Sequence, residues 1–269
     1  MCDNGHTRNK TLIAGARQNE YVDLVRDSFP DRPAFGAAVS RAVLERVAAG
    51  ELAPTIRIHR TGRVLAFGRQ DAASDGFQAA VAAARRAGFE PIVRLAGGRA
   101  ALYHEGTIAL SWATPDPNPT SGTHSRFEQL SELLADAVRR LGVDARVGEV
   151  PGEYCPGAYS VNARGRSKLV GIGQRIVSGG AHLGVVVVVR DSALVREALI
   201  PVYDALGLQW DPATAGSVED ELGDSDLAAV EDALLEALAD AGHELHDATL
   251  DPQTLALAER READHRPAG

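Results

Sequence analysis

RSKLVGIGQRIVSGGAHLGVVVVV, residues 166–189, is the stretch whose reading decides the fold. LGVVVVVR (183–190) is a β-branched run, the composition of a buried strand. KLVGIGQRIV (168–177) reads as another strand. AYSVNA (158–163) reads as a third, joined to it by the turn Arg164-Gly165-Arg166. Gly171 and Gly173 lie inside a strand, where glycine marks a bulge or the close approach of a ligand; Gly179 and Gly180 follow it.

The flanking sequence gives more strands interrupted by helices. TIRIHR (55–60) alternates, and RVLAFGRQ (63–70) reads as a second strand after Thr61-Gly62. PIVRL (91–95) is a strand, and 96–113 a glycine turn leading into two apolar runs split at His104-Glu105-Gly106, which suggests a hairpin. A short strand is expected near 144–147. Helical spacing predicts helices over 34–49, 77–87, 125–141 and 192–206, each followed by a glycine (Gly50, Gly88, Gly142, Gly207), and over 225–241 and 252–264. Residues 114–123 and 148–157 read as loops. Strands in hairpins with helices between the groups predict an α+β fold of mixed, largely antiparallel sheets flanked by helices. The expected organisation is a flexible tail over 1–19, a main domain over 20–208 and a C-terminal helical extension over 209–269.

The chain has 269 residues, 45% of them hydrophobic and 24% charged, as in ordinary globular proteins. No apolar run reaches the roughly 18 residues of a membrane helix, and no secretory leader is evident, so no membrane partner is expected. Two cysteines, Cys2 and Cys155, argue against a disulfide scaffold and make the cytoplasm the expected compartment. A net charge of −9 weighs against nucleic acid as a partner. The charge is uneven: residues 57–99 hold eight Arg against three acids, and 219–265 fifteen acids against two Arg. The basic stretch is either a solvated face or a surface that steers an acidic partner. Only Lys10 and Lys168 are lysines among 28 basic residues, which singles out Lys168 beside its glycine-rich strand.

Cys155 sits in the loop GEYCPG rather than in an apolar element. Either it is an inert loop cysteine or it is a nucleophile, which would need a cationic neighbour such as Lys168 or His182. Arg94-Leu95-Ala96-Gly97-Gly98-Arg99 places a double glycine after a strand, either a plain turn or a backbone cradle for an oxyanion. His104-Glu105 lacks further ligands at metal-binding spacing, so no metal is expected. Arg69, at a strand end, is either solvated or an anchor for a carboxylate or phosphate.

Taken together and in order, these motifs resemble the lipoate/biotin protein ligase and octanoyltransferase superfamily. PTIRIHRTGRVLAFGRQ is similar to its strand pair ending in Gly-Arg-x-Gln, RLAGGRAALYHEGTIALSW to its double-glycine motif followed by His-acid, and RSKLVGIGQRIVSGGAHLGVVVVV to its lysine motif, across about residues 34–205. The Gly97-Gly98-Arg99 form and a loop Cys followed by Pro resemble the cysteine-dependent, ligase-like octanoyltransferases; the other transferase branch places its Cys where this chain has Ala181.

The resemblance implies a biotin/lipoate ligase-like catalytic domain that moves an octanoyl (or lipoyl) group from acyl carrier protein, through a Cys155 thioester, to a lysine of a lipoyl domain, either a 2-oxo acid dehydrogenase E2 or the glycine cleavage H protein. It implies Cys155 and Lys168 as the catalytic pair, with Lys168 lowering the thiol pKa and holding the carbonyl oxygen. It implies substrate binding by Arg69, Arg94, Gly97, Gly98, Arg99, His104, Gly171, Gly173 and His182. Burying seven alkyl carbons would contribute about 5 kcal/mol at about 0.8 per methylene. Arg60, Arg63, Arg85 and Arg86 are docking candidates for an acidic carrier. Such a transferase needs no cofactor. The alternatives are an ATP-dependent lipoate-protein ligase, which would use ATP and Mg with Lys168 on the phosphate, and a non-catalytic binding member of the family. A monomer is the simpler expectation.

Overall fold

The computed structural model describes residues 21–268. The expected tail over 1–19, with Cys2 and Lys10, lies outside them. The chain runs β1 (Tyr21–Val25), α1 (Pro33–Ala48), β2 (Thr55–His59), β3 (Val64–Phe67), α2 (Arg69–Ala72), α3 (Phe77–Arg86), β4 (Glu90–Val93), β5 (Ala101–Tyr103), β6 (Thr107–Pro115), α4 (Thr123–Arg140), β7 (Ala145–Val147), β8 (Val161–Ala163), β9 (Ser167–Val177), β10 (Gly180–Val188), α5 (Ser192–Ala205), α6 (Val218–Leu222), α7 (Leu227–Asp240), β11 (Glu244–Ala248) and α8 (Pro252–Arg261).

An eight-stranded sheet has the order β11-β1-β2-β6-β10-β9-β8-β7, and a three-stranded sheet the order β4-β3-β5. The β1–β11, β1–β2 and β3–β4 pairs are parallel and the rest antiparallel, so the sheets are mixed and largely antiparallel, as expected. Leu183, Val185 and Val187 of β10 pack with Ile56, Ile58, Ile108 and Leu110 beneath α4 and α7. Phe35, Val39 and Val43 of α1 form a second cluster with Ala113 and with Ala258 of α8. A third joins Leu65, Phe67 and Leu102 of the small sheet to α3 and α5. Burying one such side chain is worth about 1.5–3 kcal/mol, so three clusters fix the position of each element that carries a site residue.

Three expectations change. The strand expected over 63–70 ends at Phe67, and Arg69 and Gln70 begin a helical turn. There the Gly68 N–H donates to Asp71 Oδ2 at 3.0 Å, and a Cβ at Gly68 would overlap the Gly98 carbonyl. The suggested hairpin across His104-Glu105-Gly106 is a crossover instead: β5 pairs with β3, while β6 pairs with β2 and β10. The Gly106 N–H donates to His104 Nδ1 at 3.0 Å, and Thr107 Oγ1 donates to the His104 carbonyl at 2.8 Å. This knot redirects the chain from one sheet to the other, and strand patterning reports strands without their partners. The C-terminal stretch 209–269 contains a strand, β11, that pairs in register with β1, while α7 lies on α4 and α8 on α1.

Candidate active site

A cavity of about 340 Å³ opens between the two sheets. Its wall includes Cys155, Lys168, Gly97, Gly98, Gly171 and Gly173, residues that the sequence scatters over 77 positions. Two of these glycines are required by close approach. Gly98 has φ +102°, and a Cβ there would overlap Arg94 Nη2 and come within 2.9 Å of Cys155 Sγ. A Cβ on Gly173 would stand 2.8 Å from the Gly97 carbonyl oxygen. Gly97 N–H in turn donates to the Gln174 carbonyl at 3.1 Å, which pins the double-glycine loop to β9.

Cys155 is half-buried and held at φ +44°, a left-handed conformation that a side-chain-bearing residue adopts only when its surroundings enforce it. Both ends of its peptide are held. Its N–H donates to the Tyr203 hydroxyl at 2.8 Å, and that hydroxyl donates to the Ala100 carbonyl at 2.9 Å. Its carbonyl accepts from Lys168 Nζ at 2.7 Å. The sulfur accepts from Arg94 Nη2 at 3.3 Å and from the Arg99 backbone N–H at 3.2 Å. Burial pushes the thiol up, but the Arg94 and Lys168 charges and the two hydrogen bonds to sulfur outweigh it and leave the thiol below its ordinary value. A thiolate is the nucleophilic form, so the arrangement is that of an activated cysteine.

Lys168 is brought to the site without touching the sulfur. Its ammonium donates to Glu153 Oε1 at 2.9 Å, to the Tyr154 carbonyl at 3.0 Å and to the Cys155 carbonyl. The Lys168 side chain is 2% exposed and Glu153 fully buried. Glu153 also accepts from Ser160 Oγ at 2.6 Å, Gly157 N–H at 3.1 Å and Val150 N–H at 3.1 Å, closing the loop 150–160 around one carboxylate. All three ammonium protons are thereby engaged. Lys168 acts on the loop and, through its charge, on the thiol.

The remaining candidates divide. Arg94, expected to bind substrate, is the cation on the sulfur. Arg99 contributes its backbone, while its guanidinium turns to the buried Asp71 at 3.2 Å. Gly97, Gly98, Gly171 and Gly173 line the cavity. His182 lines a second, smaller cavity. His104 and Arg69 border neither cavity: the first braces the crossover turn, and the second lies exposed at the start of α2. Of the docking candidates, Arg60 is paired with Glu231 at 2.9 Å and Arg63 with Glu105 at 3.0 Å, so two acids of this chain take up part of the basic stretch. Arg85 and Arg86 lie at the exposed end of α3. Among the described residues no group of three or more His, Cys, Asp or Glu is placed to hold a metal ion.

Sequence reasoning missed Glu153 and Tyr203. Glu153 stands two residues before Cys155, yet nothing in GEYCPG separates a buried carboxylate from a solvated one. Tyr203 lies on α5, 48 residues away, and carries no local signal.

The lipoyl protein ligase A/B catalytic domain model matches residues 32–239. The chain belongs to that family. An octanoyl-[GcvH]:protein N-octanoyltransferase of Anoxybacillus flavithermus is 28% identical over 236 residues, covering 84% of each chain. One of the same name from Geobacillus kaustophilus is 28% identical over 172 residues, 64% of this chain; the chain spans only 60% of that relative's length. A lipoate protein ligase from T. acidophilum, solved with lipoic acid, shares the fold with a TM-score of 0.70 at 20% identity, covering 91% of this chain and 95% of that one. Among the described residues no helix is long and apolar enough to cross a membrane.

Proposed function

We propose that this chain is an acyltransferase that carries an octanoyl or lipoyl group as a thioester on Cys155 and delivers it to a lysine of a lipoyl domain. The observation that carries this reading is the sulfur's environment: an Arg94 guanidinium and the Arg99 N–H both donate to Sγ, and the thiol is lowered despite its burial. A merely structural cysteine needs neither. The curated relatives carry octanoyltransferase names with GcvH as the octanoyl carrier, which favours a lipoyl-domain donor beside the acyl carrier protein that the resemblance implies.

The Cys155 thiolate attacks the donor's acyl carbonyl, a thioester on acyl carrier protein or a lysine amide on a lipoyl domain such as GcvH. The C–S bond of the first breaks and the carrier departs as its thiol, or the C–N bond of the second breaks and the donor lysine departs as its amine, the departing group taking up one proton. The acceptor lysine, as its free amine, then attacks the Cys155 thioester, an amide forms and the Cys155 thiolate is released. The proton given up by the acceptor amine balances the one taken by the departing donor group, thiol or amine. Splitting the transfer lets one site serve two protein substrates in turn. Arg94 and the Arg99 N–H hold the sulfur, while Lys168, Glu153 and Tyr203 fix the loop that presents it.

No cofactor enters this sequence. The ATP-dependent alternative asks Lys168 for a phosphate, and its ammonium is committed to Glu153 and two carbonyls, which does not favour that route. The test is transfer from octanoyl-GcvH to a second lipoyl domain with no nucleotide present. Wild-type protein should octanoylate the acceptor and Cys155→Ala should not. Transfer that requires ATP and persists in Cys155→Ala would refute the covalent route.

A further inference from the structure

Acyl transfer at nitrogen moves a proton as well as an acyl group. The acceptor amine becomes positively charged as it attacks the Cys155 thioester and must shed a proton, and the nitrogen of a donor lysine amide must gain one before it can leave. The groups around the sulfur are poorly suited to either task. Despite its burial, Cys155 is held below an ordinary thiol by Arg94 and Lys168, so it leaves as a poor proton acceptor. Arg94 is a cation already bonded to the sulfur and to the Arg99 carbonyl. Lys168 spends its three protons on Glu153 and two carbonyls, and Glu153 accepts from four donors in a closed, buried cluster.

A different part of the wall leads outward. Tyr159 stands four residues after Cys155 on the same loop, is half-buried and lines the cavity. Its hydroxyl lies 3.1 Å from Nδ1 of His124, and His124 is exposed. His124 and Phe127 are one turn apart at the start of α4, and both meet the Tyr159 ring. Phe127, itself part of the cavity wall, stacks on that ring at 5.1 Å with the planes 6° apart, and the His124 ring is 6.4 Å away. The stack holds the phenol between the cavity and the surface. The other hydroxyls of the wall turn inward or lack a base. Ser160 donates to the buried Glu153, and Thr123 to the Thr120 carbonyl. Burial pushes the phenols of Tyr103 and Tyr154 up, and among the described residues neither is hydrogen-bonded to a base that reaches solvent.

We propose that Tyr159 is a catalytic residue for acyl transfer at nitrogen and that His124 is its outlet to solvent. This rests on the acyl-transfer reading above. As the acceptor amine attacks, the N–C bond forms and a proton of that nitrogen passes to the Tyr159 hydroxyl. The phenol's own proton passes to Nδ1 of His124, whose ring proton is then on Nε2. The C–S bond breaks, Cys155 leaves as its thiolate, and the imidazolium gives a proton to water. Run in reverse, the same path brings a proton to the nitrogen of a donor lysine amide as its C–N bond breaks. A thioester makes no such demand, because its sulfur can leave as an anion and collect its proton from water. The pair therefore serves lysine amides and amines rather than thioesters.

The test times the half-reactions separately by rapid quench and intact-protein mass. In Tyr159→Phe, acylation of Cys155 by octanoyl-GcvH and its discharge onto an unmodified lipoyl domain should each slow by at least about tenfold, while acylation by the thioester S-octanoyl-N-acetylcysteamine should stay within about twofold of wild type. Retained thioester acylation also shows that the variant is folded with a reactive sulfur; if Tyr159→Phe does not fold, His124→Ala, at an exposed position, carries the test. His124→Ala should show the same split, and added imidazole should restore its discharge rate. A loss shared equally by all three reactions, a loss confined to the thioester, no loss in any, or a His124→Ala rate that imidazole leaves unchanged overturns the inference. Wild-type protein that takes no octanoyl group from either donor would instead count against the acyl-transfer reading itself.

Discussion

Arg94 and Cys155, 61 residues apart in the chain, meet through a hydrogen bond of 3.3 Å from guanidinium to sulfur. The lone internal lysine, which sequence reasoning placed against the thiol, is bonded instead to the cysteine's own carbonyl. The two cations therefore divide the work. Arg94 favours the thiolate directly, and Lys168 holds the loop while adding its charge.

That division predicts a pH signature. The lowered thiol keeps Cys155 reactive below the pH at which an ordinary thiol falls silent. Removing the Arg94 charge moves the titration upward, so Arg94→Gln should lose rate at pH 7 and recover toward wild type as the pH passes the raised pKa. A thiol made ten times less acidic should react about tenfold more slowly at any pH well below its pKa. The pH dependence of Cys155 alkylation by iodoacetamide measures it; superimposable curves for wild type and variant would show that Arg94 does not activate the sulfur.

The buried Lys168–Glu153 pair predicts a stability effect separate from chemistry. Breaking a buried pair leaves an uncompensated charge, so Lys168→Met should cost about 3–5 kcal/mol in urea unfolding. Adding Glu153→Gln to Lys168→Met should restore part of that loss, because the stranded carboxylate is gone. A double variant no more stable than Lys168→Met would mean that the carboxylate is not what destabilises the single variant.

Gly98→Ala is expected to be more damaging than its size suggests. The added methyl would need a left-handed backbone, would overlap Arg94 Nη2 and would crowd Sγ. Displacing a reacting group by about 1 Å can cost on the order of 100-fold in rate. Cys155 acylation should fall by that order, whereas Gly50→Ala, at φ +73° with open space around it, should leave acylation unchanged.

Tyr203→Phe removes the hydroxyl that joins the Cys155 N–H to the Ala100 carbonyl. Stability should drop by about 1–3 kcal/mol, the cost of stranding a buried polar partner. Acylation should slow while the pH profile of alkylation keeps its midpoint, because Tyr203 orients the loop and gives no positive charge to the sulfur. A shifted midpoint would contradict that assignment.

Much of this was legible in the chain. The β-branched run 183–190, the glycine stops of α1, α3, α4 and α5, and the motif order placed the main elements and the residues that wall the cavity. The partners of strands were not legible: β5 and β6 look like a hairpin because alternation does not record hydrogen-bond direction, and the short strand β1 lies between its neighbour β2 and the edge strand β11, which comes from the far end of the chain. At the site, Cys155, Lys168 and the glycines stood out by rarity or type. Arg94's true neighbour, the buried state of Glu153 and the reach of Tyr203 depend on contacts across 61, 15 and 48 residues, and residue identity does not encode such contacts.

The proposed function stands or falls with a thioester on Cys155, and intact-protein mass spectrometry reads it directly. Wild-type protein mixed with an octanoyl-thioester carrier in the absence of ATP should gain one octanoyl group, mapped by digestion to Cys155 and discharged when an unmodified lipoyl domain is added. If no adduct forms on wild-type protein, or if the label maps to another residue while transfer still proceeds, Cys155 is not the acyl carrier.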